Sequence, residues 1–472
     1  MSRSVGILAI AAALAALIVP APASAQTTFE IVDGFYITGL SDDATIACGA
    51  DASAGYEAVR WTAETGAVHL GLAAVTLTGK GGGYTRMSGD GNLICSTIAN
   101  EDSTICTWGL WTKGVGWERL MPPYPPGGGT PDGDGGSPYA ISRDGSTVVG
   151  LIWMNGAHGH AGRWTRETGT VDLGAQTPNS SSRANVVNRN GTVIAGWSSS
   201  PITGAWQPTV WEDGVMTVLN PSDVRSEVQG INRDGTVLSG MLHNAATNIR
   251  EPAIWTKVGG AWTGQMLGTL PGSPPFDTAC IASGVTDDGT LVVGEYLYDL
   301  WTRTGFVWTL DEGLMTADDF FAARGVPVPA GFHVRGLSVV SHDGRYLAGW
   351  GYDDATPNVT RSFIVRFPPV SAVPGPVSAG GLRLDPAYPN PFNPETSLRI
   401  ALDHAGDVAL RVYDARGALV RELHSGSLEA GSHAFRWDGR DGSGLPVPSG
   451  VYLARAQGRT GAAQTRRLTL IK

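Results

Sequence analysis

The stretch AISRDGSTVVGLIWMNGAHGHAGRWTRETGTVDL, from Ala140 to Leu173, contains one complete copy of the repeat that decides the fold. It holds an Asp144-Gly145 turn, an apolar run that ends at Gly150, and Trp164 further on. Asp-Gly supplies the positive φ values that a tight hairpin needs. Turn residues also bound each apolar run, which predicts four short β-strands. The first ends at residues 140–142, and the others lie at residues 147–150, 161–165 and 170–174.

The same pattern occurs seven times. The third residue of each turn is Asp43, Asp90, Asp144, Asn190, Asp234, Asp288 or Asp343, so neighbouring repeats lie 44 to 55 residues apart. Six residues later stand Gly49, Ser96, Gly150, Gly196, Gly240, Gly294 and Gly349. A large apolar residue follows in each repeat: Trp61, Trp111, Trp164, Trp211, Trp255, Trp308 and Phe363. Four-stranded units at this period predict a seven-bladed β-propeller.

Two details of the predicted propeller follow from the repeat. The recurring glycines would let backbones approach one another near the axis, and the large apolar residues would fill the space between blades. The segment at residues 29–32 precedes the first repeat, and the seventh repeat ends after Phe367. We therefore expect the N-terminal segment to supply the last strand of blade seven and to close the ring.

Composition supports an all-β protein and excludes one class of partner. The chain has 65 glycines in 472 residues, about twice the usual share, which favours many tight turns over helices. Its formal net charge is −10. It lacks the clustered Lys and Arg residues that a nucleic-acid surface requires, so we expect no nucleic-acid partner.

The N-terminus has the features of a secretory signal peptide. Arg3 precedes an apolar run at residues 5–19, and Ala23-Ser24-Ala25 fits the small-residue cleavage pattern. Cleavage before Gln26 would remove residues 1–25. No other apolar stretch is long enough to span a bilayer. The mature chain is therefore expected to be secreted, extracellular or on the outer cell surface, without a transmembrane helix.

The rest of the chain divides into two domains and a linker. The predicted propeller covers residues 26–367, and a Pro-rich linker follows at residues 368–381. Beyond the linker the repeat is absent. Six short apolar segments lie between residues 397 and 471, which predicts a small Ig-like β-sandwich over residues 382–472.

Cys95 and Cys106 lie in two apolar runs that a hairpin could bring together. In an oxidising compartment they could form a disulfide. Two buried thiols fit the sequence equally well, so both alternatives stay open.

The third repeat contains His160-Ala161-Gly162-Arg163-Trp164-Thr165, followed by Asp172-Leu173-Gly174. The other repeats lose the His, and all of them except the seventh, which has Phe363, keep the Trp. On these residues the propeller repeats resemble the HAF family of extracellular repeats, whose pattern the third repeat matches best. The resemblance covers most of residues 30–367. It implies a surface or secreted protein and no defined activity.

The C-terminal domain opens with the motif Tyr388-Pro389-Asn390-Pro391-Phe392-Asn393-Pro394, followed by Thr396. It also contains Val412-Tyr413-Asp414, Trp437-Asp438-Gly439 and Ser449-Gly450-Val451-Tyr452. On these residues the domain resembles the C-terminal sorting domains of type IX secretion cargo and the Ig-like domain of the flagellar hook-capping protein. The resemblance implies passage across an outer membrane with secretion or translocation machinery as the partner. The chemistry of these residues by itself predicts structural roles, and it places Trp437 in the core of the sandwich.

Two features suggest binding in the propeller. Aromatic residues follow the recurring glycines and would lie on one rim of the propeller: Trp153, Trp197, Tyr296, Tyr298, Trp301, Trp350 and Tyr352. There they could stack on a glycan or bind a protein. They fit packing between blades equally well. Asp132 and Asp134 alternate with glycines in a loop that could form a weak calcium site, although a solvated loop fits as well. No other cofactor is expected.

No catalytic motif stands out in the sequence. The first hypothesis is a non-enzymatic propeller that binds or scaffolds at the cell surface. The second is a secreted glycan hydrolase or lyase, which would need two or more carboxylates and an arginine in the central channel. The best-placed residues for that chemistry are Glu295, Asp299, Arg303, Asp353 and Asp354.

Overall fold

The structure is a computed structural model of the chain. It describes residues 26–71, 83–99, 106–120, 135–154, 158–221, 224–270, 280–297 and 303–368 of the first domain. In the second domain it describes residues 382–384, 387, 392, 395–402, 404–414, 417–458 and 463–470. No helix in these ranges is long and apolar enough to cross a membrane.

Seven four-stranded antiparallel sheets form the blades of a propeller, as the repeat predicts. In chain order the first strands are β1 (Thr28–Val32), β2 (Tyr36–Leu40), β3 (Ile46–Asp51), β4 (Glu57–Thr62), β5 (Gly66–His69), β6 (Arg86–Met87), β7 (Leu93–Ala99), β8 (Cys106–Thr112), β9 (Gly116–Arg119), β10 (Gly136–Ile141), β11 (Thr147–Trp153), β12 (Gly159–Thr165) and β13 (Gly169–Asp172). They continue with β14 (Ser182–Val187), β15 (Val193–Ser199), β16 (Trp206–Glu212), β17 (Val215–Val218), β18 (Glu227–Ile231), β19 (Val237–Asn244), β20 (Ile249–Val258), β21 (Ala261–Met266), β22 (Cys280–Val285), β23 (Leu291–Leu297), β24 (Arg303–Thr309), β25 (Gly313–Thr316), β26 (Phe332–Val340), β27 (Tyr346–Asp353) and β28 (Arg361–Arg366). A 3-10 turn (Ala52–Ala54) and one short helix, α1 (Ala317–Ala323), complete the described part of this domain.

Blade seven is closed by the N-terminal strand. β1 pairs with β28 in the sheet order β1-β28-β27-β26, which confirms the expected closure. Phe29 stacks on Phe363 with a centroid distance of 4.7 Å. Arg361 binds both carboxylate oxygens of Asp33 at 2.7 Å, so side chains reinforce the ladder. A closed ring leaves fewer unpaired strand edges.

The repeated turn is held by a side-chain network. In blade three the Ser142 hydroxyl and the N–H of Ser146 both donate to Asp144 Oδ1, at 2.6 and 2.9 Å. The N–H of Thr147 in turn donates to Ser142 Oγ at 3.0 Å. Only the glycine of the Asp-Gly pair takes a positive φ, 76° at Gly145. The turn is therefore a four-residue loop with one left-handed residue, and Asp serves as a hydrogen-bond acceptor.

The recurring glycines have a specific steric cause. The first strand of six blades carries a bulge, and there its backbone carbonyl lies directly over the glycine. A Cβ built on Gly196 would lie 2.0 Å from the Arg183 carbonyl oxygen, and one on Gly150 would lie 2.2 Å from that of Ser137. The close approach is thus to the first strand of the same blade. In blade two β6 has only two residues, and Ser96 takes the glycine position and bonds the Thr85 hydroxyl at 2.8 Å.

Hydrogen bonds between neighbouring turns form a structure that we call the turn ring, made of the second residue of each turn: Asp42, Gly89, Arg143, Arg189, Arg233, Asp287 and His342. The N–H of Asp42 donates to Gly89 O, and that of Gly89 donates to Arg143 O, both at 2.7 Å. Arg189 N–H reaches Arg233 O at 3.0 Å, and Asp287 N–H reaches His342 O at 2.8 Å. The turns thus tie the blades together around one end of the central channel.

The large apolar residues pack between blades, as predicted. Trp255 lies in a core cluster with Val186 and Val210 of blade four, and Trp308 lies in one with Val237 of blade five. Burial of these aromatic rings supplies much of the inter-blade stabilisation.

Cys95 and Cys106 do not form the disulfide that the sequence left open. Cys95 pairs with Leu110 in the ladder, whereas Cys106 pairs with Ala99, four positions further along. Four residues of strand span about 13 Å, well beyond the reach of a disulfide. Both residues are buried thiols, and burial raises the pKa of the Cys95 thiol to about 12.

The C-terminal domain is a sandwich of two sheets with the orders β29-β30-β33 and β32-β31-β34-β35. Its strands are β29 (Leu382–Leu384), β30 (Thr396–Leu402), β31 (Gly406–Asp414), β32 (Leu419–Leu428), β33 (Gly431–Trp437), β34 (Gly450–Gly458) and β35 (Ala463–Leu470). Trp437 is fully buried and contacts Phe392 and Tyr452 at centroid distances of 5.3 and 5.0 Å. Its position in the core is as predicted.

Candidate functional site

The two ends of the channel differ because of the strand directions. The first strand of each blade runs toward its turn and the second runs away from it, so the turns share one end. The beginnings of first and third strands and the ends of second strands meet at the other end. We call this end the mouth, and define it by Tyr36, Tyr84, Arg86, Tyr139, Arg183, Trp197, Trp206, Arg225, Glu227, Glu295, Arg303, Arg335, Trp350 and Tyr352.

A buried carboxylate organises the mouth at blades four and five. The side chain of Glu227 is 2% exposed and accepts from Arg183 at 3.1 Å and from Arg225 at 2.9 Å. Asn185 Nδ2 also donates to Glu227, at 3.2 Å. Two guanidinium groups and an amide therefore satisfy a charge that would be costly to bury alone.

Aromatic rings hold the same arginines. Trp197 and Trp206 stack in parallel with a centroid distance of 4.1 Å. Arg225 lies 3.7 Å above the Trp206 ring, and Arg183 lies 4.5 Å from the Tyr139 ring. Both faces of Trp206 are thus covered, one by Trp197 and one by Arg225. The arrangement fixes the orientation of the guanidinium groups through cation–π contacts.

Tyr84 links blade two to this cluster. Its ring meets Tyr139 edge to face at 5.5 Å and carries Arg86 at 5.1 Å. Burial raises the pKa of Tyr84, and the charges of Arg86 and Arg183 oppose that rise. The ring contact with Tyr139 therefore joins blade two to the arginine cluster.

A second cluster occupies the mouth at blades six and seven. Arg303 donates to Glu295 Oε1 at 2.6 Å and lies 5.9 Å from the Trp350 ring. Arg335 lies 4.6 Å from the Tyr352 ring and donates to the Arg303 carbonyl at 2.8 Å. Burial raises the pKa of Glu295 above its usual value, although Arg303 and Trp350 oppose the rise.

The predicted aromatic residues have different outcomes. Trp197, Trp350 and Tyr352 lie at the mouth, where each ring contacts another side chain of the mouth: Trp206, Arg303 and Arg335, respectively. Trp153 is half-buried at the same end of blade three. Tyr296 follows the packing alternative, because this ring is fully buried in the core between blades five and six. Tyr298 and Trp301 lie outside the described residues, as do Asp132, Asp134 and most of the motif at residues 388–394.

The residues proposed for catalysis do not come together as a catalytic set. Glu295 pairs with Arg303, Asp354 accepts from His333 at 2.8 Å, and Asp353 accepts from Arg361 at 2.8 Å. The hydrogen bond from Arg361 holds the pKa of Asp353 below its usual value. Asp299 lies outside the described residues. In the ranges that the structure describes, no group of three metal-binding side chains is found.

The comparisons with known proteins bear mainly on the second domain. Residues 392–462 match the FlgD Ig-like domain family. The chain is 38% identical to the basal-body rod modification protein FlgD of Salmonella typhimurium over 60 residues, which are 13% of this chain and 26% of that protein. Against FlgD of Escherichia coli K12 it is 36% identical over 70 residues, 30% of that protein. The chain thus spans under a third of the curated relatives that it matches.

Solved structures resemble the chain at low identity. The β-propeller domain of the Trilobed protease from Pyrococcus furiosus is 11% identical, with a TM-score of 0.45 and coverage of 71% of this chain and 96% of that one. PorZ, a surface component of the type-IX secretion system of Porphyromonas gingivalis, is 13% identical, with a TM-score of 0.37 and coverage of 93% and 60%. At these values neither structure carries an argument about function.

Sequence reasoning missed most of the residues that build the mouth. Arg183 and Glu227 occupy the same position in neighbouring repeats, five residues before the turn begins. The other repeats have Tyr36, Gly83, Ser137, Ile281 and Gly336 there. Aligning the repeats on their turns would have placed an arginine beside a glutamate. A search for aromatic residues after the recurring glycine could find neither Arg183 nor Glu227.

The turn end of the channel is a less suitable site. It holds a cavity of about 140 Å³ lined by the charged members of the turn ring. Arg143 binds Asp42 at 2.6 Å, and Arg233 lies 3.5 Å from Asp287. These pairs join blade one to blade three and blade five to blade six. They therefore add to the contacts between blades.

Proposed function

We propose that this chain is a secreted or cell-surface, non-enzymatic propeller that binds a ligand at its mouth and carries a C-terminal export or sorting module. One observation carries the binding role. The mouth presents arginines that are held on aromatic rings and are still partly exposed, with Arg225 48% and Arg303 39% exposed. Groups held in place before binding lose little entropy when a ligand arrives.

The charge pattern favours binding over catalysis. General acid–base catalysis needs a carboxylate or another titratable group that can exchange a proton with the substrate. At the mouth, Glu227 is buried under two arginines and Glu295 is paired with a third. Such carboxylates hold the arginines in position for a ligand.

The export role rests on the order of the segments. A signal peptide would deliver the chain across the first membrane only. The FlgD-like Ig domain follows a Pro-rich linker and has its own core around Trp437, which supports a separate module. We propose that this module engages translocation machinery and that the chain reaches the medium or the outer cell surface. No cofactor is part of the proposal.

An array screen tests the binding role. The chain without its signal peptide is labelled and applied to glycan and peptide arrays beside a Tyr36→Ala/Tyr84→Ala variant. We expect the wild type to retain a defined set of ligands and the variant to lose them, because these rings are the most exposed aromatics of the mouth. Equal retention by both proteins would place the ligand elsewhere.

Fractionation of the native host tests the export role. A chain that ends at residue 381 should keep a folded propeller and accumulate in the periplasm, while the full chain reaches the surface or medium. Normal export of the truncated chain would leave the Ig-like domain as a structural appendage.

A glycan hydrolase or lyase is the second candidate function, and Glu295 is the observation in its favour. A carboxyl group with a raised pKa keeps its proton to a higher pH and can act as a general acid. Array ligands incubated with wild type and Glu295→Gln would settle the point. Product that forms with the wild type and not with the variant would replace the binding proposal.

A further inference from the structure

We infer that the mouth binds an acidic oligosaccharide, in which carboxylates are spaced along neutral sugar rings. This inference rests on the proposed binding function and names the class of its ligand. It begins from the unused donors of two arginines. In the described structure Arg225 uses one terminal nitrogen on Glu227, and Arg303 uses one on Glu295. A guanidinium has five N–H donors, so each can still bind a ligand carboxylate.

The aromatic faces restrict where a sugar can stack. Trp206 lies between Trp197 and Arg225. The Tyr352 ring already contacts His333 at 5.0 Å and Arg335 at 4.6 Å. Tyr36 and Tyr84 are 37% and 36% exposed, and they belong to blades one and two. A sugar ring could contact these tyrosines, while its carboxylate meets the arginines of the other blades.

The charge of the whole chain selects among anionic ligands. The mouth has five arginines and two glutamates, whereas the chain has a formal net charge of −10. A densely charged polymer such as a nucleic acid would be repelled by the rest of the surface. Carboxylates separated by uncharged atoms would meet the local positive charge with less repulsion at physiological salt, because screening limits the longer-range interactions.

The identity of the cation also matters. Arg binds a carboxylate through two parallel N–H···O bonds, and a planar guanidinium on an aromatic ring keeps its edge available for that geometry. The 3.7 Å contact of Arg225 with Trp206 holds the group in this way. Neutralising the carboxylate of the ligand should therefore remove most of the affinity.

Calorimetry with a galacturonic acid trimer tests the inference. The protein is residues 26–472, and the second ligand is the fully methyl-esterified trimer, which has the same rings without the charges. We expect binding of the acid and at least tenfold weaker binding of the ester. Arg225→Gln and Arg303→Gln should each weaken binding of the acid at least tenfold.

Arg166→Gln is the matched control. Arg166 also lies over a tryptophan, 5.6 Å from Trp164, and pairs with a glutamate, Glu118 at 3.3 Å. It follows β12 at the turn end and should leave binding unchanged. A thermal melt of each variant checks that it is folded.

The other outcomes separate this inference from the proposed function. Equal binding of acid and ester, or equal loss in Arg166→Gln, overturns the acidic-sugar inference. So does tighter binding of a short Asp/Glu peptide than of the trimer. If neutral glycans bind in a way that depends on Tyr36 and Tyr84, the proposed function stands and only its ligand class is wrong. If the arrays and the trimer both give no binding, both proposals are wrong.

Discussion

The turn end and the mouth of the channel are built from the same seven blades, yet their residues vary to different degrees. At the turn end similar chemistry returns with small changes. In the five turns that begin with Ser or Thr, the hydroxyl donates to the Asp two residues later, and in the other two Asn188 and Asn232 accept from the N–H groups of Val193 and Val237. At the mouth, equivalent positions hold Tyr36, Arg183, Glu227 and Ile281. Repetition marks the residues that every blade needs in order to fold. Divergence at equivalent positions marks where one blade differs from another in chemistry.

The largest expected effect of a single substitution concerns a repeated position. Gly196→Val should destabilise the propeller by about 3 kcal/mol, because its Cβ would lie 2.0 Å from the Arg183 carbonyl and the first strand would have to move. Urea unfolding measures the change. Ser96→Ala, at the same position in blade two, should cost only about 1 kcal/mol through the lost bond to Thr85. Equal costs at the two positions would contradict the bulge explanation.

Ring closure should come next in magnitude. Phe29→Ala removes the ring that stacks on Phe363 and meets Phe332 edge to face at 5.4 Å, so we expect a loss of about 2 kcal/mol. Thermal unfolding with tryptophan fluorescence reports the change. Val171→Ala is the control, because Val171 is exposed on the outer strand of a blade that is continuous in sequence. A similar loss in both variants would mean that closure by β1 adds no stability beyond that of an ordinary outer strand.

The turn network should make a smaller contribution that depends on pH. The Ser88 hydroxyl holds the pKa of Asp90 below its usual value. A lowered pKa stabilises the fold above the pKa of the unfolded chain, and this stabilisation is lost as the pH falls. Asp90→Asn should therefore cost about 1 kcal/mol at pH 7 and progressively less below pH 4. Blade four has Asn190 at the equivalent position. In the same unfolding series, Asn190→Asp should be more stable than wild type at pH 7, and this gain should disappear as the pH falls.

The sequence predicted the features that follow from local turn chemistry and spacing, and missed those that depend on how strands and blades pack in three dimensions. Strand positions, blade number and closure by β1 follow from turn chemistry and spacing, which are local. The bulge was not predicted, because it depends on how the first strand lies over Gly150 or Gly196 in three dimensions. Most of the mouth was missed for a related reason. Arg183, Arg225 and Glu227 meet only after two blades have packed together.

Arg303→Gln tests the mouth itself and should have the smallest effect on stability. The Arg303 side chain is 39% exposed, and its pair with Glu295 contributes under about 1 kcal/mol at such a site. The variant keeps a hydrogen-bond donor but loses the charge that opposes the burial-induced rise in the pKa of Glu295. That pKa should therefore rise further.

The sign of the pH dependence follows from the same linkage. A carboxyl group whose pKa is higher in the folded state than in the unfolded chain disfavours folding when it is ionised, and the cost disappears once the pH falls below the unfolded-state value. Arg303→Gln should thus be less stable than wild type at pH 8 and equal to it near pH 4. Chemical unfolding at the two pH values gives the difference. A deficit that persists at pH 4 would mean that Arg303 supports the fold through packing, and the mouth would then resemble the turn end in being part of the framework.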